Sequence, residues 1–170
     1  MIAELLVLRF VHVVGGIFWV GSALFTALFL APALTTAGVN AGQVFAALGK
    51  RRLFVALPLV ALLTIASGAR LMWIMSGGFT SSYTASGTGR TLMMSGAAAV
   101  GAFLLSVLVS RPTAVRSAHL ASTLATASAA ERAGIAARAA ALRRRGGMSS
   151  MIAVALLVLA AAGMSIARYV

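Results

Sequence analysis

The chain contains no cysteine, which excludes a disulfide framework, a thiolate zinc or iron–sulfur site and a cysteine nucleophile. Acid is almost as scarce, with 2 Asp+Glu against 14 Lys+Arg in 170 residues. Glu4 and Glu131 are the only carboxylate side chains, so carboxylate-driven hydrolysis and carboxylate proton relays have little to work with. No Ser-His-Asp set and no phosphate-cradling glycine loop is present either. Charged residues make up only 9% of the chain, against roughly 25% in soluble proteins. What fills the space is apolar: 61% hydrophobic residues and a mean hydropathy of +1.03. A water-soluble domain of this size has no interior large enough for that much apolar surface, which excludes a soluble enzyme or a nucleic-acid module. The net charge of +12 therefore reads as a membrane-orientation signal, with no nucleic-acid partner implied.

A spanning helix needs about 20 mostly apolar residues, and four segments qualify, at about 5–31, 53–75, 91–110 and 148–167. They predict a single integral membrane domain over 1–170, all-α, folded as an antiparallel four-helix transmembrane bundle. A cleaved signal peptide is a poor reading of the first segment, which has Arg9 and His12 inside it and an apolar part too long for an h-region. The loop between segments one and two carries Lys50, Arg51 and Arg52, and that between three and four carries seven arginines from Arg111 to Arg145. The loop between two and three, Ser76 to Gly89, has no charge. The positive-inside bias then puts both basic loops in the cytoplasm and both termini outside, on the periplasmic side of a bacterial inner membrane.

The long basic stretch, 111–147, is rich in Ala and Arg, both strong helix formers. Pro112 suits a helix start, Ser128-Ala-Ala-Glu131 has capping-box spacing, and Gly146-Gly147 is expected to end the pattern. One or two cytoplasmic helices are predicted, either separate or as an extension of the third segment, with Val115, Leu120, Leu124, Ile135 and Leu142 available for a packed face. Arg143-Arg144-Arg145 lies beside the fourth segment, where it can act as a topology signal or meet anionic lipid headgroups.

Ionisable residues inside a span are costly and each is a functional hypothesis. In the predicted orientation Arg9, Arg70, Arg90 and Arg168 all fall toward the outer rim. They either snorkel to water or share an anion. His12, one turn from Arg9, is the one histidine in a predicted span. It reads either as a neutral imidazole hydrogen-bonded to a neighbouring helix or as a metal or haem-iron ligand. Met72, Met75, Met93, Met94 and Met164 lie in the outer halves of the later segments, where thioethers serve as gap-fillers or as soft ligands for Cu(I) or haem iron. Trp19 falls mid-span, placed to pack on a helix or on a planar ligand. Trp73 and Tyr169 read as outer interface anchors. Gly15, Gly16, Gly21, Gly96, Gly101 and Gly163 read as sites of close helix approach.

The run Leu8-Arg9-Phe10-Val11-His12-Val13-Val14-Gly15-Gly16-Ile17-Phe18-Trp19-Val20-Gly21 resembles a first-helix signature shared by several small bacterial membrane families. These include the CopD-type copper-resistance membrane domain, the HemJ-type protoporphyrinogen oxidases, the membrane anchor of cytochrome-linked urate oxidases and an uncharacterised family of about this length. Ser67-Gly68-Ala69-Arg70-Leu71 and Met164-Ser165-Ile166-Ala167-Arg168-Tyr169 also resemble that last family. The resemblance implies that His12 ligates haem b or, as second choice, copper. Arg9 and Arg70 would then hold haem propionates and Trp19 would line the cofactor. Met72, Met93, Met94 or Met164 would supply a further ligand, unless a dimer-related His12 or a partner protein does. The competing expectation is a non-enzymatic accessory or scaffold subunit of a larger membrane complex. Enzymatic activity, and assembly as a homodimer, stay open at this level.

Overall fold

The computed structural model describes residues 2–37, 41–124 and 126–170, and no strand occurs among them. Helix α1, Ile2–Phe25, runs through a π turn at Thr26–Leu30 into α2, Ala31–Thr36. Helix α3, Ala41–Lys50, leads to a tight turn in which Arg52 takes a left-handed conformation (φ 60°), and α4 follows over Leu53–Met75. A short α5, Ser81–Ala85, precedes α6, Gly87–Leu105, which passes through a second π turn, Ser106–Ser110, into α7, Arg111–Thr123. Helix α8, Ala129–Ile166, ends in one 3-10 turn, Ala167–Tyr169. Four of these helical runs are long and apolar enough to cross a membrane: Ile2–Leu34, Leu53–Met75, Gly87–Thr123 and Ala129–Tyr169.

Both π turns have the same local cause. Pro32 and Pro112 each lie two residues beyond one. A proline inside a helix has no N–H to give and its ring crowds the carbonyl four residues back. Widening the preceding turn relieves that clash: Ala31 N–H bonds Thr26 O and Arg111 N–H bonds Ser106 O, five residues back rather than four. The helix survives each proline instead of stopping there. Pro58 also lies inside a helix, six residues into α4, but no π turn accompanies it.

The basic stretch is a helical hairpin. The third apolar run continues unbroken to Thr123, and α8 starts at Ala129, well ahead of the fourth apolar segment. At about 1.5 Å per residue, the 37-residue run Gly87–Thr123 is far longer than a hydrocarbon core about 30 Å thick, so its basic end projects beyond the apolar layer. The start of α8 carries a capping interaction: the Ser128 N–H and hydroxyl both donate to Glu131 Oε2, at 3.2 and 2.6 Å. Those bonds hold the Glu131 carboxyl below its ordinary pKa. Gly146-Gly147 does not end a helix, contrary to the expectation from sequence. Gly146 lies inside α8 against Thr113, where an added Cβ would meet Thr113 Oγ1 at 2.7 Å. The packed face of the hairpin includes four of the five expected residues but is centred on smaller ones. Thr113, Ser117, Ala139 and Gly146 are buried, Leu120, Leu124, Ile135 and Leu142 are half-buried, and Val115 is exposed.

Small residues set the helix pairing throughout. Between the third and fourth runs, Gly163 faces the Ser95 hydroxyl, Gly101 meets Leu156 and the Ser110 and Ser149 hydroxyls lie 2.9 Å apart. Gly15 on α1 meets Thr64 and Val60 of α4. Gly21 and Gly96 have open space around them. The central core draws on all four runs: Trp19, Ala61, Ala102, Ala153 and Leu157. It is a thin core, and large apolar side chains face outward along every run, as lipid-facing helices require.

Candidate functional site

The site is built on α1 and α4, toward the ends away from the basic hairpin. From Ile2 to His12 the α1 axis advances about 15 Å, which sets the imidazole inside the apolar run. Its Nδ1 lies 2.8 Å from the backbone oxygen of Thr64. A carbonyl only accepts, so Nδ1 carries the proton and donates. In the neutral ring the lone pair is then on Nε2, which has no hydrogen-bond partner among the described residues. Histidines that bind metals are commonly oriented in this way, with one nitrogen held by a backbone carbonyl and the other free, and so are histidines that only link two helices.

Local sequence on α4 explains why the ring fits there. An added Cβ at Gly68 would come within 2.6 Å of His12 Cε1 and 2.8 Å of Nδ1, so only glycine leaves room for the ring. Thr64, one turn away, supplies the accepting carbonyl. Ser67 is buried and donates its hydroxyl to Leu63 O at 2.6 Å and Thr64 O at 3.0 Å, so the Thr64 carbonyl that holds His12 is shared. Sequence reasoning missed Thr64 and Gly68 as His12 neighbours. The available signal was Thr64-x-x-Ser67-Gly68, a small and polar strip at helical spacing within an otherwise apolar run.

Toward the helix ends, Arg9 lines a groove of about 270 Å³ with Ile2, Leu5, Leu6 and Met75. Leu5, Arg9 and His12 share one face of α1 by their spacing. The Arg9 guanidinium has no polar partner among the described residues. Arg70 is different: its Nε and Nη2 donate to Glu4 Oε1 at 3.0 and 2.8 Å, so its charge is met within the chain. Arg90 donates to the Ala85 carbonyl, and Arg168 lies over the Tyr169 ring and donates to its hydroxyl. Of these four arginines, Arg9 alone lacks a protein partner among the described residues.

The remaining sequence candidates scatter. Met72 falls one turn beyond Gly68 on the same face of α4 and is half-buried. Met93 and Met94 are exposed on α6, Met94 to 74%, and Met164 is half-buried on α8. Trp19 is buried in the central core, edge-on to Phe103 at 6.4 Å, so its partner here is a helix. Trp73 and Tyr169 are exposed near the ends of their helices, Trp73 packing edge-on against Phe79. No group of three or more His, Cys, Asp or Glu gathers among the described residues.

The donor set can therefore offer a haem or soft metal one imidazole nitrogen, one guanidinium for an anionic group, and thioethers at Met72 and Met75. The described residues place no second nitrogen ligand beside His12. No family model, curated protein or solved structure matches this chain.

Proposed function

We propose that this integral membrane protein is redox-associated and binds haem b through Nε2 of His12, in a bacterial inner membrane with both termini on the periplasmic side. One observation carries the reading: the Thr64 carbonyl accepts a hydrogen bond from Nδ1–H, and Nε2 has no partner among the described residues. The same bond serves a histidine that only ties α1 to α4; what supports a ligand is the Nε2 left over, which a packing role does not use. Arg9 supports it by placing an unpaired cation one turn farther out, where an anionic substituent such as a propionate would lie. The first-helix resemblance points to the same residue. When bound, haem would supply one-electron chemistry. The chain's own part is to orient the imidazole, neutralise an anionic edge through Arg9 and exclude water with the apolar wall of α1 and α4. A sixth ligand would come from Met72, from the His12 of a second copy or from a partner protein. Copper is the second choice, because an isolated imidazole with nearby thioethers is also a soft donor set.

A non-enzymatic accessory subunit is the alternative, and two observations favour it. Arg70 is already neutralised by Glu4, and Met93 and Met94 face outward, so the ligand set is smaller than the haem reading would like. The optical spectrum of the detergent-purified protein separates the two. The haem reading predicts a Soret band and, after dithionite, a reduced α band, with iron near one per chain or per pair of chains. His12→Gln retains an amide donor for the Thr64 carbonyl but not the imidazole, and should abolish the colour while the protein stays folded. A colourless preparation free of iron and copper would rule out the cofactor reading and leave the accessory subunit.

A further inference from the structure

A second groove, of about 440 Å³, lies at the basic end of the bundle, between the π turn Ser106–Ser110 and α8. Arg144, Arg145, Met148, Ser149 and Ile152 line it from one face of α8, and Val109 closes it from the π turn. Polarity is stratified along it. The two guanidinium groups sit at the hairpin side, and one turn deeper Met148 and Ile152 are exposed to more than half of their surface. Neither arginine has a hydrogen-bond or ion-pair partner among the described residues. The chain has no acid to spare for them, since Glu4 is paired with Arg70 and Glu131 is bonded to Ser128. The counter-charge has to come from outside, and it has to be joined to something apolar.

We propose that this groove binds an anionic phospholipid. The phosphate diester engages Arg144 and Arg145, whose planar guanidinium groups match phosphate oxygens, and one acyl chain lies along Val109, Met148 and Ile152. A diffuse polybasic surface would attract the same headgroups, but it would use every arginine of the hairpin alike and would need no apolar floor. The groove uses two arginines, and its floor begins where the apolar run of α8 begins.

The test is native mass spectrometry of the full chain, purified in detergent, stripped of lipid and offered phosphatidylglycerol or chain-matched phosphatidylcholine. Preferential retention of phosphatidylglycerol is expected. Arg144→Gln with Arg145→Gln should weaken it about tenfold or more. The charge-matched pair Arg138→Gln with Arg143→Gln should leave it nearly unchanged. Met148→Ala with Ile152→Ala, which keeps every charge, should weaken retention several-fold. Equal losses in the two arginine pairs would reduce the groove to a diffuse charge effect. Inorganic phosphate competing as well as the lipid would make it a free-anion site, and no preference over phosphatidylcholine would remove it altogether.

Discussion

At His12 the deciding neighbours are a backbone oxygen and an absent side chain. Thr64 contributes its carbonyl and Gly68 its lack of a Cβ, and neither contribution is visible in a residue's chemical type. The sequence makes His12 conspicuous because a histidine in an apolar run is costly, yet it says nothing about which nitrogen is held. The consequence is testable at one atom. Gly68→Ala must displace the imidazole, because the new methyl would overlap Cε1 and Nδ1. Haem binding should fall sharply, or its reduced α band should shift, while Gly21→Ala, whose added Cβ meets nothing within 4 Å, leaves the spectrum unchanged. An unchanged spectrum in Gly68→Ala would mean that the cradle does not orient the ligand. Arg70 is a second instance of this residue-scale limit. Sequence places Glu4 at the same end as the four arginines without saying which of them it meets; it meets Arg70, so an arginine read as open to an outside anion is paired inside the chain.

Among the elements, the helices themselves were plain from long apolar runs, whereas their ends were not. Prolines and glycines are the usual punctuation, and here both are overridden. Pro32 and Pro112 are absorbed by widened turns, and Gly146-Gly147 lies in mid-helix because close packing against Thr113 requires one of the pair. The centre of the hairpin seam escapes sequence reading for a related reason. A search for large apolar residues overlooks a seam made of Thr113, Ser117, Ala139, Gly146 and Ser149, in which short side chains allow close approach and satisfy their hydroxyls on backbone oxygens. The two adjacent glycines should consequently respond in opposite directions. Gly147 has nothing within 4 Å of an added Cβ, so Gly147→Ala should stabilise the protein by roughly 0.5–1 kcal/mol through helix propensity alone. Gly146→Ala forces Thr113 away and should lower the melting temperature in detergent. Equal shifts for the two would show that this seam does not hold the hairpin.

For the whole molecule, charge and hydropathy together exclude more than they specify. They place four runs in a membrane and collect basic residues at one end, but they leave cofactor and substrate chemistry to a handful of side chains. The proposed orientation can be read directly because the chain has no cysteine. A single cysteine at Ser82, in the uncharged loop, should react with a membrane-impermeant maleimide on intact cells, and one at Thr126, at the tip of the basic hairpin, only after permeabilisation. The reverse pattern would invert the topology and move the His12 site to the cytoplasmic side. The central claim, that His12 Nε2 is kept for a ligand, rests on its optical consequence. The dithionite-reduced spectrum of the purified protein, recorded beside that of His12→Gln, tests it most directly. A Soret and α band present in the first and lost in the second is the predicted result. Bands that persist in the variant, or a native protein without colour or metal, would contradict it.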